Sequence, residues 1–343
     1  MTTIGEVTAH LERIAPPVYQ ESYDNAGLIT GDASAAVTGV LCCLDATEEV
    51  VAEAERKGCN LIVAHHPIVF RGLKRLTGGN YVERTVIRAI RSGIAIYAIH
   101  TNLDNVYSQG VNARIAERLG LEETRILSPK PVGRRLRVLV PSGRLGELTP
   151  LLEKAGARRI FASQNGHTAS VEAYLSSGQE GGVKAVLQQM GLQDYELSAV
   201  DNADGQVGSG MVGRLPKPMD EKAFLDLLLE RMRTPVVRHT PLSGKPVQTV
   251  ALCGGSGSFL LPQAIRAGAD VFVTADFKYH EFFDAEGKIV IADIGHFESE
   301  QFTIELLADI IGQNFSTFAT HLTEVFTNPV RYHYHAPPAN AGT

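Results

Sequence analysis

The sequence predicts an α/β protein, with a pseudo-symmetric, duplicated α/β core into which a small ferredoxin-like α+β domain is inserted. Three observations predict this fold class. Strand and helix patterns alternate along the first part of the chain. A later stretch repeats part of it without a gap. Between the two copies the pattern changes to strand, helix, two strands, helix and strand, which is typical of a ferredoxin-like domain.

In the first part, short apolar runs predict buried strands, and amphipathic stretches predict helices. Thr47 is placed to cap one helix, and Gly58 is placed to end it. The predicted strands are 37–45, 60–64 and 94–99, and the predicted helices are 47–57, 81–91 and 110–119. Such alternation favours a parallel sheet.

The repeat relates residues 40–66 to residues 250–276. Each copy is followed by another apolar strand, 94–99 in the first and 288–294 in the second. Any two β-α-β units look somewhat alike, which is the alternative explanation. If the duplication is real, strand ends from both halves meet at a shared cleft. The coinciding residues are Val40/Val250, Cys43/Cys253, Ala54/Ala264, Arg56/Arg266, Gly58/Gly268 and Val63/Val273.

The middle of the chain has a different character. Residues 128–136 look like a linker, the stretch before residue 170 looks irregular, and 201–210 is a Gly/Asp-rich link. Between them we predict strands at 137–141, 170–176 and 195–200 and helices at 144–156 and 181–190, with the core resuming as a helix at 220–232. The predicted domains are a first core half at 1–128, the insert at 129–206, a second core half at 207–332 and a flexible tail at 333–343.

Composition narrows the class of protein. The chain has 343 residues, 44% of them hydrophobic and 20% charged, which excludes wholesale disorder. The net charge is −6 without a block of Lys and Arg, so no nucleic-acid surface is expected. No apolar run reaches ~18 residues, so no membrane span is expected. The chain has four Cys and no CxxC motif, and its N-terminus does not resemble a signal peptide. These features predict a reduced, cytoplasmic protein.

Ligand-type side chains follow two predicted strands of the first half. His65 and His66 end one apolar run, and His100 and Asp104 follow the next strand. In α/β sheets, ligands gather at the carboxyl ends of strands. Neighbouring side chains of an extended backbone point in opposite directions, so two adjacent His suit two ions in a shared site better than one ion. Taken alone, each motif also fits an ordinary turn.

In the second half, His296 and Glu300 follow a predicted strand at a spacing of four residues. If a helix begins at residue 296, both side chains lie on one face and can hold the same pair of ions. A carboxylate in that position can bridge two cations about 3.5–4 Å apart, as in two-metal hydrolysis. The alternative is an acidic helix N-terminus stabilised by the helix dipole.

The segment CGGSGS lies between a predicted strand and a helix. Its residues Gly254, Gly255, Ser256 and Gly257 present backbone N–H groups near a helix N-terminus, which makes them a candidate seat for an anion or phosphate. The segment lacks the GxxxxGK[ST] and GxGxxG patterns. A tight strand-to-helix turn is the alternative.

The candidate ligands are nitrogen and oxygen donors without a thiolate. Such a set suits Zn, Mn, Fe, Co or Ni, and the residue types do not choose among them. A metal pair lowers the pKa of a bound water toward neutrality and makes that water a nucleophile.

Four of these segments together resemble the Nif-three-like dinuclear metal-binding family, whose members are often labelled GTP cyclohydrolase type 2-like. They are HHP near residue 65, HTNLD near 100, GGSGS near 255 and GHFESE near 296. The segments DNAGLITGD (24–32), VGRLPKPM (212–219) and TNPVRYH (327–333) match further stretches, so the resemblance spans roughly 1–128 and 207–331. Long members carry an insert similar to the PII/CutA ferredoxin-like fold.

The resemblance implies two divalent ions per subunit, with Glu300 as the bridging ligand. It also implies a toroidal homohexamer whose sites face an interior cavity. The ligands that the resemblance implies are His65, His66, Asp104, His296 and Glu300.

Two functional hypotheses from different classes follow. In the first, the protein is a metal-dependent hydrolase acting on a nucleotide or another phosphorylated small molecule, and is GTP cyclohydrolase-like by resemblance. The glycine-rich loop then seats phosphate, and His100 or Lys278 assists proton transfer or charge. In the second, the protein is a non-catalytic metal-binding homo-oligomer that acts as a metal store, insertase or regulatory scaffold.

Overall fold

The computed structural model describes residues 1–201 and 204–333. The predicted flexible tail lies outside the described residues except for its first residue. In the described part the chain forms three β-sheets of five, six and four strands, with helices packed on them.

The first part of the chain alternates strands and helices, as its hydrophobic pattern predicts. Its elements are α1 (Ile4–Ile14), β1 (Gly27–Thr30), β2 (Gly39–Asp45), α2 (Glu48–Lys57), β3 (Leu61–His66), α3 (Tyr81–Arg91), β4 (Ala95–Ala98), α4 (Thr101–Asp104), α5 (Val111–Leu119) and β5 (Glu122–Lys130). Thr47 caps α2 by accepting a hydrogen bond from the Val50 N–H, and Gly58 ends the helix at a φ of +67°.

The middle and last parts of the chain continue the numbering. The middle part contains β6 (Gly133–Pro141), α6 (Leu145–Lys154), β7 (Arg158–Asn165), β8 (Thr168–Ser176), α7 (Glu180–Gln189) and β9 (Tyr195–Val200). The last part contains β10 (Asp204–Met219), α8 (Glu221–Arg231), β11 (Arg238–His239), β12 (Val247–Ser256), α9 (Leu261–Arg266), β13 (Val271–Ala275), β14 (Val290–Asp293), α10 (His296–Glu300), α11 (Thr303–Asn314) and β15 (Ala319–Leu322).

The repeated segments pair in the same register in their two sheets. In the first sheet β2 and β3 run parallel, with Val40 opposite Leu61. In the second sheet β12 and β13 run parallel, with Val250 opposite Val271, which are the same positions shifted by 210 residues. β4 and β14 extend the two sheets in parallel from β3 and β13. The internal repeat therefore corresponds to two matching β-α-β units.

Each core sheet also takes an edge strand from the opposite half of the chain. The five-stranded sheet has the order β1-β4-β3-β2-β15, and the six-stranded sheet has the order β11-β14-β13-β12-β10-β5. β15 pairs parallel with β2, and β5 pairs antiparallel with β10. Each half of the chain thus contributes an edge strand to the sheet of the other half. One large apolar cluster contains residues of both sheets.

The four-stranded sheet is formed by the middle part of the chain. Its order is β7-β8-β6-β9, all pairs are antiparallel, and its apolar face packs with α6 and α7 into a core of its own. This small layered unit connects to the core through β5 and β10.

Two segments that looked like linkers are strands instead, so these predictions are wrong. Residues 128–136 belong largely to β5 and β6, and residues 204–210 belong to β10. Pro129 is tolerated because β5 is the edge strand of its sheet. Gly208 is required because a Cβ there would lie 2.3 Å from the Ser128 carbonyl oxygen on β5. Close approach of the two strands, rather than chain flexibility, explains Gly208.

The stretch before residue 170 is also more regular than predicted, because β7 occupies residues 158–165 and pairs with β8. In the described part of the chain, no helix combines the length and the apolar character that a membrane crossing requires.

Candidate metal centre

The predicted ligand residues come together where the ends of both core sheets meet. His65 and His66 end β3, and Asp104 ends α4, the short helix that follows β4. In the other half, His296 begins α10 and Glu300 ends it, directly after β14. As predicted, α10 places these two side chains on one face, with His296 Nε2 3.1 Å from Glu300 Oε2.

The Glu300 carboxylate lies between two sets of ligand atoms. Its Oε1 lies 3.8 Å from His65 Nε2, which is itself 3.6 Å from Asp104 Oδ1. Its Oε2 lies 3.0 Å from His66 Nε2 and close to His296 Nε2. We call His65, Asp104 and Glu300 Oε1 the inner group, and His66, His296 and Glu300 Oε2 the outer group.

Both groups have the composition and spacing of a metal site. Within each, the ligand atoms lie within 4.8 Å of one another. The adjacent imidazoles of His65 and His66 reach different oxygens of Glu300, as expected for neighbours on an extended strand. These residues could therefore hold metal ions through nitrogen and oxygen donors.

Two atoms of the inner group are buried and have no hydrogen-bond partner among the residues that the structure describes. They are His65 Nε2 and Asp104 Oδ1, which face one another across the group. A buried polar atom without a partner costs free energy, about 1–3 kcal/mol for a typical group. A cation coordinated by both atoms would remove this free-energy cost, so the pair fits a bound metal ion.

The opposite ring nitrogen of each of the three imidazoles in the two groups is held by an oxygen atom. His65 Nδ1 lies 2.8 Å from the Ile99 carbonyl oxygen. His66 Nδ1 lies 2.8 Å from Asp45 Oδ1, and His296 Nδ1 lies 2.7 Å from Asp276 Oδ2. Such partners fix the ring orientation and leave Nε2 free to ligate, as in most histidine metal sites.

His100 lies beside the inner group and is oriented in the same manner. Its Nδ1 lies 2.8 Å from Asp24 Oδ1, and its ring centroid lies 5.3 Å from that of His65. Asp24 also accepts hydrogen bonds from the Thr101 N–H and hydroxyl. Burial disfavours the charged Asp24 carboxylate, but the hydrogen bond to His100 and its charge outweigh burial and lower the pKa of Asp24 to about 2. His100 thus also contributes to a third possible ligand group, with His65 and His66.

In the outer group, the neighbouring carboxylates favour the protonated form of both imidazoles. Burial alone would lower the pKa of His66, but its hydrogen bonds to Asp45 and Glu300 raise that pKa to about 9. Burial likewise opposes protonation of His296, but the Glu300 charge and the Asp276 hydrogen bond raise its pKa to about 11. Positive charge is therefore favoured at this position even without a metal ion.

The inner group behaves differently because it is more deeply buried. Burial lowers the pKa of His65, which keeps the imidazole neutral. Burial, reinforced by the negative charge of Glu300, raises the pKa of Asp104 well above its usual value. Glu300 itself stays ionised, because the charge and hydrogen bond of His296 outweigh its burial and hold its pKa far below the ordinary value.

The glycine-rich loop serves close packing at the site. Gly255 has a φ of +61°, and a Cβ there would lie 2.5 Å from Glu300 Oε1, so only glycine fits. The Gly254 N–H donates to Asn112 Oδ1 at 3.0 Å, and the Gly255 N–H donates to Ser299 Oγ at 2.9 Å. Two of the N–H groups considered for phosphate are thus used inside the protein. The anion seat over Gly254, Gly255, Ser256 and Gly257 stays a prediction.

A cavity of about 730 Å³ opens over both groups. It is lined by ligand atoms of both groups and by the aromatic side chains of Tyr23 and Phe70. His100 lies in its wall, whereas Lys278 does not, because Lys278 is exposed at the start of a 3-10 helix and its N–H donates to Glu281. Of the two candidates for proton transfer, the structure brings only His100 to the site.

Three carboxylates that hold the histidines were not identified from the sequence as site residues. They are Asp24, Asp45 and Asp276. Asp276 occupies the position equivalent to His66 in the internal repeat, and Asp45 ends β2, so both follow strands of the repeated unit. The repeat was the available indication for these two, whereas Asp24 lies outside the repeat, in a loop at the start of the segment 24–32 that contributes to the family resemblance.

Comparison with known proteins agrees with the geometry. The family model described as Duf34/NIF3 (NGG1p interacting factor 3) matches residues 2–329. A Staphylococcus epidermidis protein named GTP cyclohydrolase 1 type 2 homolog is 29% identical over 96% of this chain and 99% of its own.

Solved structures show the same fold over nearly the whole chain. A Bacillus cereus protein related to NIF3 matches with a TM-score of 0.81 and 28% identity, covering 97% of this chain and 99% of its own. The Staphylococcus aureus protein SA1388 matches with a TM-score of 0.80 and 28% identity over the same shares. Family model, curated relatives and solved structures agree, and the chain belongs to the Duf34/NIF3 family.

Proposed function

We propose that this protein binds two divalent metal ions at the inner and outer groups, with Glu300 as the shared ligand, and that it is a metal-dependent hydrolase. Its substrate is a nucleotide or another phosphorylated small molecule. The name GTP cyclohydrolase 1 type 2 homolog, carried by its relatives, is in line with that class.

The observation that carries the proposal is the position of the Glu300 carboxylate. Its Oε1 faces the other atoms of the inner group, and its Oε2 faces those of the outer group. Both groups border the same cavity. A buried carboxylate shared in this manner is the usual bridge of a two-metal hydrolytic site. Bound ions there supply Lewis-acid activation and a nucleophilic water.

The residues of the chain contribute orientation and proton handling. The carbonyl of Ile99 and the carboxylates of Asp45 and Asp276 keep the Nε2 atoms directed at the centre. The Nδ1 of His100 is held by Asp24, which leaves its other nitrogen toward the cavity to accept or donate a proton. His100 is thus our candidate for the general acid or base.

The cavity wall supports a substrate with a flat ring and a negative charge. The rings of Tyr23 and Phe70 stack at 6.4 Å between centroids, and both side chains are substantially exposed. Arg71 lines the same cavity and has no ion pair in the described part of the chain. Aromatic faces bind bases by stacking, and guanidinium groups bind phosphate.

The test is turnover by the metal-loaded protein on a panel of nucleotides and phosphoesters. We expect at least one substrate to be hydrolysed by the wild type, with loss of turnover in Glu300→Gln. Glu305→Gln, on the next helix and outside the cavity, is the matched control and retains activity. Complete inactivity of the metal-loaded wild type across the panel contradicts the hydrolase and favours the non-catalytic metal store, insertase or scaffold.

We further propose that the four-stranded unit is a ferredoxin-like, PII/CutA-like domain and that the chain forms a homohexamer. The strand order β7-β8-β6-β9, with two helices on one sheet, supports the first proposal. Exposed aromatic side chains at Tyr279 and Phe283, with rings 5.6 Å apart, support a buried contact in an assembly. Light scattering of the purified protein tests the hexamer, and a monomer contradicts it.

A further inference from the structure

A second large cavity lies between the core and the four-stranded unit. Its volume is about 780 Å³, and it shares no lining residue with the cavity over the metal centre. Residues of α1 and of the loop after α4 form one wall, and residues of β6 to β9 form the other. The two walls are joined by a hydrogen bond of 2.8 Å between the Tyr19 hydroxyl and Ser176 Oγ. We call this cavity the interdomain cleft.

The interdomain cleft is strongly cationic although the chain is acidic. Acidic residues exceed Lys and Arg in the whole sequence, by 38 to 32. Among the residues whose side chains the structure describes, the lining of the cleft reverses that balance, with one carboxylate, Glu12, against four arginines. The arginines are Arg13, Arg134, Arg158 and Arg159.

The four arginines differ in their partners. Arg134 pairs with Glu180 at 3.3 Å, and Arg13 contacts His10 at 3.1 Å. Arg158 and Arg159 are exposed, and neither has an ion pair or side-chain hydrogen bond in the described part of the chain. Two guanidinium groups are therefore available to an anion.

A local irregularity of β7 places these two neighbouring side chains on the same cleft. On a regular strand Arg158 and Arg159 would point to opposite faces. The pairing with β8 slips by one residue between Arg158 and Phe161, and Arg159 has a φ of +49°. A bulge of this kind redirects a side chain, and here both arginines line the cleft.

We propose that the interdomain cleft binds a phosphorylated small molecule carrying at least two negative charges, held by Arg158 and Arg159. Two planar guanidinium groups match phosphate oxygens in pairs, which a single lysine cannot do. The volume of the cleft admits a ligand of nucleotide size. This site is separate from the metal centre and does not depend on the proposed hydrolytic function.

The test is calorimetric titration of the full-length protein with inorganic pyrophosphate, which carries the required charge. We expect the wild type to bind pyrophosphate, and the double variant Arg158→Gln with Arg159→Asn to bind it at least about tenfold more weakly. Asn tolerates the positive φ at position 159. Arg137→Gln, on β6 and outside the cleft, is the matched control and binds as the wild type does.

Pyrophosphate can also bind to metal ions, so Glu300→Gln is titrated in parallel. Unchanged affinity in Glu300→Gln supports the cleft, and it does so whether or not the hydrolase proposal holds. No binding to the wild type at about 1 mM pyrophosphate, or equal binding by the wild type and the arginine variant, overturns the proposal. If the double variant does not fold, the single variants replace it, with a smaller loss of affinity expected from each.

A titration with ADP separates two sources of the phosphate. Tighter binding of ADP than of pyrophosphate, again lost in the arginine variant, supports a nucleotide as the ligand. Equal binding supports recognition of the phosphate groups alone.

Discussion

The inner and outer groups share Glu300 but differ in how far their other side chains are buried and in which of their polar atoms have partners. In the inner group the His65 side chain has no exposed surface and the Asp104 side chain is 20% exposed, and among the described residues neither His65 Nε2 nor Asp104 Oδ1 has a hydrogen-bond partner. In the outer group the side chain of His66 is 19% exposed and that of His296 is 40% exposed, and both rings contact carboxylates on two sides. Within the described residues, the ring nitrogens of the outer group thus all have partners, whereas two ligand atoms of the inner group have none.

The contrast indicates which position depends more on a cation. The raised pKa values of His66 and His296 favour protonated imidazoles around Glu300, so an ion that enters the outer group must displace protons. At the inner group, an ion satisfies atoms that otherwise have no partner. We therefore expect the inner ion to be held more tightly and the outer ion to exchange more readily.

The largest effect is expected from Glu300→Gln, because Glu300 belongs to both groups. We expect the metal content to fall from about two ions per chain to near zero, since the neutral amide cannot bridge two cations. Metal analysis of the purified protein measures the number of ions per chain, with Glu305→Gln as the control. Retention of both ions in Glu300→Gln would contradict the role of Glu300 as a ligand shared by the inner and outer groups.

The next effect separates the two groups. Asp104→Asn removes a carboxylate ligand that belongs to the inner group only, and His296→Gln removes an imidazole ligand that belongs to the outer group only. Each variant is expected to keep about one ion per chain. If either substitution releases both ions, the groups are not independent positions.

The same two variants allow the pH dependence of each group to be measured. The raised pKa values of His66 and His296 mean that both carry protons at pH 7, so affinity at the outer group weakens as pH falls. With two protons displaced, the outer affinity changes by about a hundredfold per pH unit between pH 6 and 8. At the inner group His65, with a lowered pKa, contributes no proton and Asp104, with a raised pKa, contributes at most one, so the inner dependence is shallower. Equal slopes in the two variants would contradict this assignment.

A smaller effect is expected from the carboxylates that orient the rings. Asp276→Asn keeps a hydrogen-bond acceptor near His296 Nδ1 but removes its charge. We expect outer affinity to fall by about 10- to 100-fold while the inner ion is retained. Competition with a chromophoric chelator measures both affinities, and equal weakening of the two ions would argue against a local role.

Much of the site could be predicted because short-range patterns place its residues. His65 and His66 follow an apolar run, and the spacing of His296 and Glu300 fits one face of a helix. The supporting Asp24 could not be predicted, because its contact with His100 joins a loop to a strand end 76 residues away. The residues next to Asp24 in the sequence give no indication of its contact with His100.

The fold shows the same limit. Local periodicity predicted most helices and strands of the repeated units, but composition failed where Gly and Pro occur in paired strands, as in β5 and β10. The return of β15 to the first sheet, beside β2, depends on a long-range pairing that no local pattern contains. Long-range pairing therefore accounts for most of what the sequence left open.

Anomalous diffraction from crystals of the wild-type protein grown with a divalent transition metal tests whether Glu300 bridges two ions. We expect two peaks about 3.5–4 Å apart, one beside each oxygen of Glu300, with the inner peak near His65 and Asp104. A single peak, or peaks remote from Glu300, would contradict this bridging role.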